Sequence, residues 1–356
     1  MVMKINNLSY KKLHFLINRI SIFKKGYAPW FNWESENASL GKCIRYYSFY
    51  PKFLPLIVNS DHGVHSESKL WKNELLTKKT VPYLTWNYRK YLKFKKLKRN
   101  VYYINNPFSF YFKNKIGNNN KINKINEING TLIVYPHSNL KNTPIINNDN
   151  YFRSLKKLPK SFHPLNILVS FHDIKNNNYL KLFKYKLPIY TAGNTISSDF
   201  IDNLREIMIR YKYITSPISE HSIGSTFFYS VDLGIKNFFF HKVKFKIYKS
   251  HDDLKKGIIK KNIFLDRVDR INLKKLQNIF SLKNFHKVKN PKKKIIRYMG
   301  YDSKINRLNL FTILFKSFLI NLDLVVILYL KYFFNYSKKF FHNFITLRNT
   351  LKKYIL

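Results

Sequence analysis

The sequence predicts an α/β protein with parallel sheets, divided into two halves that face a cleft and followed by a C-terminal helical segment. Three observations predict it. Short apolar runs recur along the chain and each ends in a polar loop, with helical stretches between, as in β-strand–helix–β-strand units. The Asn/Lys-rich stretch Asn114–Gly130 has no apolar face that a helix or strand could bury, and reads as a linker or loop. The 356 residues suit two domains, at roughly 150 residues each. The expected division is an N-terminal half over 1–113, the linker over 114–130, a second α/β half over 131–300, and basic amphipathic helices over 301–356.

In chain order, the first half offers Phe53–Asn59, which runs into the loop SDHGVHSES, then Val81–Trp86 and Val101–Ile104. Beyond the linker, Thr131–Tyr135 ends in PHSN, Leu165–Ser170 in FHDI and Leu187–Tyr190 in TAGN. Tyr213–Thr215 ends in SPISEHSIGS, and Ile235–Phe240 is the last strand-like run. Two helices are well marked. Ser198–Tyr211 opens with Ser and Asp, which cap free backbone N–H groups, and places Phe200, Ile201, Leu204, Ile207 and Met208 at helical spacing. Ser225–Leu233 opens with Ser-Thr and ends at Gly234, a C-terminal glycine. Two further Asn-rich pieces, Asn142–Asn150 and Lys175–Asn178, read as surface loops.

Composition excludes some classes. Hydrophobic residues at 45% and aromatics at 17% exclude a disordered polycation. A single cysteine excludes a disulfide scaffold and a multi-cysteine zinc site, and favours a reducing compartment. The 65 Lys+Arg against 19 Asp+Glu give a net charge of +46. Lys, Asn, Ile, Tyr and Phe dominate, the residues of AT-rich codons, so part of that charge is expected from coding bias. The remainder would report nucleic acid, an anionic membrane surface or an anionic substrate. Arg89–Asn100, RKYLKFKKLKRN, is the best nucleic-acid-like feature, since bases stack on aromatics and phosphates meet cations. A solvated helix face and membrane apposition are its other readings.

No secretory h-region is expected in the first 25 residues. The most apolar segment, Phe311–Phe334, is interrupted by Lys316, Asp323 and Lys331, so no run of ~18 uncharged apolar residues exists to span a membrane. No acidic residue follows Asp323, whereas Lys331, Lys338, Lys339, Arg348, Lys352 and Lys353 are basic. Such a helix either lies in an anionic membrane interface or packs on its own domain.

Ligands of open parallel sheets bind at the carboxyl ends of strands. Those tips carry Asp61, His62 and His65; His137 and Ser138; His172 and Asp173; Thr191, Gly193 and Asn194; and Ser216, Glu220, His221, Gly224, Ser225 and Thr226. The stretch from Thr215 to Thr226 is the most specific. A strand, a loop and a helix opening at Gly224-Ser225-Thr226 make an anion site from free N–H groups, the helix dipole and two hydroxyls, or else an ordinary helix N-terminus. Neither Asp252-Asp253 nor Asp199/Asp202 gives the spacing of a DxD metal site.

The order PHSN, HDI, TAGN, SDFIDNLREI and S–GS–Y–LGI resembles bacterial glycosyltransferase-like proteins of capsule and surface-polysaccharide synthesis. The resemblance is best over Thr131–Phe240 and extends to the SDHGV loop and to Arg297–Lys304. It implies two Rossmann-like domains facing a cleft, the GT-B arrangement, and a nucleotide-sugar as co-substrate with no further cofactor and no metal. It places His137 and Ser138 on the cleft; Thr191, Gly193, Asn194 and Ser216 on the donor side; and Gly224, Ser225 and Thr226 on the donor phosphate. The acceptor would be a glycan or lipid-linked glycan, and the enzyme cytoplasmic, at the inner face of the cell membrane. An inverting transfer needs a base on the acceptor hydroxyl. His62 is the residue expected for it, with Asp61 or Glu67 as orienter or substitute. The other function class is a non-enzymatic RNA-binding protein, such as a ribosomal component from an AT-rich organellar genome.

Overall fold

The computed structural model describes residues 3–5, 13, 39–61, 63–117, 128–136, 142–195, 197, 199–220, 222–247 and 265–327. They form an α/β structure with two sheets that contain parallel strands.

The smaller sheet has three parallel strands in chain order: β2 (Asn59–Ser60), β3 (Tyr83–Thr85) and β4 (Val101–Tyr103). Tyr83, Leu84 and Thr85 are all buried, as expected of a strand covered on both faces. Helix α1 (Leu40–Ser48) precedes the sheet, and α2 (Lys72–Leu75) and α3 (Tyr88–Lys96) are its crossovers. The Asn87 side chain accepts from Arg89 N and Lys90 N and so starts α3, whose last turn holds Lys93, Lys95 and Lys96, favourable at the dipole's negative end. Helix α4 (Pro107–Gly117) follows β4. In the run Phe53–Asn59 only Asn59 is in a strand. Pro55 lacks an N–H, and Leu56, Ile57 and Val58 reach the core without ladder pairing.

The larger sheet has the order β1-β8-β7-β5-β9-β10-β6. Its five central strands are parallel: β8 (Ile189–Thr191), β7 (Leu165–Leu168), β5 (Ile128–Val134), β9 (Tyr211–Ser219) and β10 (Lys236–Ile247). The edges are antiparallel: β1 (Met3–Lys4) on β8, and β6 (Asn142–Ile145) on β10. Adjacent residues serve opposite faces. Leu132, Ile214 and Phe239 join one core cluster, whereas Ile133, Tyr213 and Phe238 join the other. The chain runs from β5 outward through β7 to β8, then returns past β5 for β9 and β10. The direction therefore reverses between β5 and β9, which is a topological switch point.

The connecting helices are α5 (Asn148–Lys156), α6 (Phe171–Lys175), α7 (Phe200–Met208) and α8 (Ser225–Asp232). Helix α7 buries Ile201, Leu204, Ile207 and Met208 as its spacing predicts. Its Asp199 makes no capping bond; instead the Ser39 hydroxyl, from before α1, accepts from Ile201 N at 3.3 Å. The Asn142–Asn150 stretch is not a simple loop, since it supplies β6 and the start of α5. A Pro144-containing polar strand is tolerated at a sheet edge.

The packing runs across the expected division of the chain. One continuous core cluster runs from Val58, Leu84, Trp86 and Phe108 beside the small sheet to Leu132, Ile214, Phe227 and Phe239 beside the large one. At its N-terminus the chain crosses over, because Met3 and Lys4 pair with Thr191 and Tyr190. After α9 (Arg267–Ile279) it returns: the N–H of Asn106 bonds Met299 O at the end of α10 (Pro291–Met299), and the Ser317 hydroxyl of α11 (Arg307–Ile320) donates to Ile57 O. A boundary at 300 thus separates two helices that both pack beside the small sheet. The expected linker 114–130 is also shorter, because α4 extends to Gly117 and β5 begins at Ile128; residues 118–127 lie outside the described ones.

Candidate functional site

The carboxyl ends of the two parallel sheets meet. The loop after β2 lies against the segment that joins β9 to α8. The Val64 N–H donates to the Ser225 hydroxyl at 3.0 Å, that hydroxyl donates to Val64 O at 3.3 Å, and the Ile223 N–H donates to the Ser66 hydroxyl at 2.9 Å. Side chains at the end of β3 hold the loop in place. The Trp86 indole N–H donates to Gly63 O at 3.1 Å, and the Asn87 amide donates to His65 O at 3.1 Å and Glu67 O at 3.2 Å. A methyl group on Gly63 would lie 2.4 Å from the Ser225 hydroxyl oxygen and 3.9 Å from His65 Nε2. A side chain there would displace the Ser225 hydroxyl, so glycine leaves that hydroxyl and the His65 imidazole on either side of the same gap beside the N-terminus of α8. No acidic residue stands in the first turn of α8, and its N-cap Gly224 is exposed with open space where a side chain would be.

His65 and Glu67 form an ion pair, Nδ1 to Oε1 3.5 Å. Burial pushes the imidazole pKa down, but the bond and charge of Glu67, with the charge of Asp61, more than reverse this, so it lies above its ordinary value. Burial likewise pushes Glu67 up, and His65 brings it below the ordinary carboxylate range. Each group thus favours the charged form of the other. A cation, a hydroxyl and a helix N-terminus at the switch point of a parallel sheet constitute an anion-binding arrangement. On sequence His65 is one of several strand-tip residues, and its spacing to Glu67 alone does not set it apart.

Asp61 does not face a cleft. It is 2% exposed, and it accepts from Lys90 Nζ at 2.5 Å, from the Tyr83 hydroxyl at 2.9 Å and from the Thr85 hydroxyl at 2.6 Å. Lys90 also donates to Glu74 at 2.6 Å. Burial pushes the Asp61 carboxyl up, but Lys90 and His65 hold it below the usual range. The expectation of Asp61 as the base itself is corrected, because its carboxylate is the buried counter-ion of Lys90; its role as orienter concerns His62. His62, His137, Ser138 and His221 lie outside the described residues.

The donor-side residues divide. Gly224, Ser225 and Thr226 sit at the start of α8, on the junction. Ser216 does not lie on a tip: β9 continues to Ser219, and Ser216 is paired with Phe239 inside the ladder. Thr191 and Asn194 are buried, and the Thr191 hydroxyl accepts from Gly193 N at 3.2 Å, so these residues build a turn. Their strand, β8, stands two strands away from β5 and the switch point. His172 and Asp173 belong to α6, where Asp173 accepts from the Ser170 hydroxyl at 2.6 Å.

The basic run Arg89–Asn100 is largely bonded within the chain. Arg89 pairs with Asp269 and, at 3.1 Å, with Asp266; Lys93 pairs with Asp266 at 2.9 Å; and Arg99 donates to Thr77 O at 2.6 Å. Arg89 and Lys93 thus clamp α3 to α9 and Lys90 is buried, whereas Lys95, Lys96 and Lys98 are exposed. Ser68 completes the clamp, its N–H and hydroxyl both donating to Asp269 at 2.8 Å. Burial pushes the Asp266 carboxyl up, but the Asp269 N–H, Lys93 and Arg89 together outweigh it and bring it down to about 2. A depressed carboxylate stabilises the fold fully above its unfolded pKa of about 3.9, and loses that effect as pH falls through the folded value. Urea unfolding is thus expected to show stability falling from about pH 4 to about pH 2, with a shallower acid limb in Asp266→Asn.

No family model matches the chain, and neither does any curated protein or solved structure.

Proposed function

We propose that the protein is a glycosyltransferase-like enzyme that moves a sugar from a nucleotide-activated donor to a surface polysaccharide or lipid-linked glycan. In this reading the two sheets are the Rossmann-like halves of a GT-B-type arrangement, and the enzyme is cytoplasmic. The observation that carries it is the convergence of His65, Ser225 and the N-terminus of α8 on Gly63, at the carboxyl ends of both parallel sheets. The donor diphosphate would take the exposed Gly224 end of α8, with Thr226 and the His65 imidazolium beside it. These groups offset the charge that grows on the leaving phosphate oxygen as the anomeric C–O bond breaks. The acceptor hydroxyl would lose its proton to His62, next to Gly63 in sequence, as its oxygen bonds the anomeric carbon.

Calorimetric titration with uridine and guanosine diphosphate sugars tests this. Affinity is expected to fall as pH rises through the raised pKa of His65, because the cation is what meets the phosphate. His65→Gln should bind about tenfold more weakly, in keeping with one lost charge-assisted hydrogen bond, and lose that pH dependence. If no nucleotide-sugar binds, or if His65→Gln binds unchanged at every pH, the reading fails.

A further inference from the structure

Helix α11 is not amphipathic, because both of its sides are apolar. Leu310, Leu314 and Ser317 face inward, and Asn321 just past its end is buried, tied by its amide to Ser317 O at 2.8 Å and by its carbonyl to the Thr80 hydroxyl at 2.6 Å. On the outer side Leu308 is 72% exposed and Leu319 49%, with Phe315 between them and Ile320 beside them. Leu308, Phe315 and Leu319 recur at i, i+7 and i+11, which is one line along a helix. Leu322, Val326 and Ile327 continue the exposed apolar surface beyond the turn. At the start of the helix the Arg307 guanidinium sits 4.9 Å over the ring of Phe49, itself 70% exposed. An apolar surface of this extent marks a contact with a partner or a membrane.

Charge selects between the two. Over the described residues 303–327, Lys304, Arg307 and Lys316 stand against one acid, Asp323, and the Asp323 carboxylate is paired with Lys78 at 2.9 Å. A second copy would bring the same basic surface against itself, whereas anionic headgroups complement it. The helix has 14 residues, about 21 Å at 1.5 Å per residue, against a hydrocarbon core of about 30 Å. Among the described residues no helix is long and apolar enough to cross a membrane. We propose that the outer face of α11 docks flat on an anionic lipid surface. Leu308, Phe315 and Leu319 enter the acyl boundary, and Lys304, Arg307 and Lys316 lie at the headgroups. Lys316 reaches the headgroups by extending its stem along the apolar face. The inference stands on this surface alone and does not depend on the transfer reading.

Co-sedimentation of the full chain with phosphatidylglycerol/phosphatidylcholine vesicles, and with phosphatidylcholine alone, tests it at low salt and at high salt, where surface charge is screened. The wild type is expected to bind the anionic vesicles and to stay bound at high salt. The variant Leu308→Ser/Phe315→Ser/Leu319→Ser should partition at least tenfold less at high salt, with an unchanged thermal midpoint. Leu308→Glu alone reads the same loss should the triple variant fold poorly. Equal partitioning of variants and wild type would assign the binding to charge alone and overturn the proposal. So would a wild type that ignores anionic vesicles, or one that is a dimer dissociated by the same substitutions.

Discussion

Lys90→Met is expected to destabilise the fold by about 3–5 kcal/mol, the usual cost of removing one partner from a buried ion pair. Lys90 is 3% exposed and its ammonium reaches Asp61, Glu74 and the Tyr83 hydroxyl at 2.5, 2.6 and 3.0 Å. Burial pushes the Lys90 pKa down, but the two carboxylates more than offset it, and it lies above its ordinary value. A group so raised contributes its stability below the unfolded pKa and loses it only as pH climbs through the folded one, so the wild type keeps this contribution throughout the neutral range. Without the ammonium, two carboxylates face each other in an apolar surround, and one of them must take up a proton. The stability deficit of Lys90→Met should therefore narrow as pH falls towards 5, by urea unfolding at a series of pH values. Adding Asp61→Asn and Glu74→Gln should recover part of the loss, because the cost lies in uncompensated charge more than in a missing attraction. If the triple variant is no more stable than Lys90→Met, the charges are not what destabilises it.

Lys90 also shows where the sequence stops being readable. Each of the eight strand-like runs contributes residues to a parallel strand, since an apolar run and the turn chemistry after it are local properties. The choice of Lys90 as a buried cation is not local. It stands among five other Lys and Arg between residues 89 and 98, and what separates it is an Asp 29 residues earlier and a Glu 16 earlier. The same holds at the junction. Gly224-Ser225-Thr226 was legible as a helix start, yet the partner of Ser225, Val64, is 161 residues away. Ser216 was misplaced because the polar residues of β9 continue the ladder to Ser219, so polarity marked no strand end. Edge strands β1 and β6 carry no local signal for a related reason: β1 has two residues and β6 is polar and contains Pro144, and only the neighbouring strand makes them strands. What distinguishes His65 is the approach of Gly63 to α8, which is non-local, because a histidine two residues before a glutamate is a common pairing on any surface loop.

The second large effect is at Gly300, which joins the C-terminal helices to the end of β4. Its φ of +66° is the left-handed conformation that closes α10, and a methyl group there would stand 2.1 Å from Ile104 O and 3.2 Å from Trp86 Cβ. Neither neighbour retreats easily. Ile104 N is bonded to Thr85 O at 2.9 Å, and the Trp86 indole holds Gly63 O, so a displaced tryptophan would disturb the loop that carries His65. Gly300→Ala is expected to cost about 2–5 kcal/mol, the sum of about 1–2 for a side chain in the left-handed region and about 1–3 for overpacking. Gly234 provides the control. It has a φ of +79° but nothing within 4 Å of where a Cβ would be, so Gly234→Ala should cost only the conformational part, about 1–2 kcal/mol. The difference between the two variants in denaturant midpoint isolates the clash. Equal losses would mean that α10 shifts off Ile104 without cost, and that the return of the C-terminal helices to the small sheet is loosely held. A larger loss at Gly300, together with weaker nucleotide-sugar binding by the folded variant, would tie that return to the position of Gly63 and hence to the anion site.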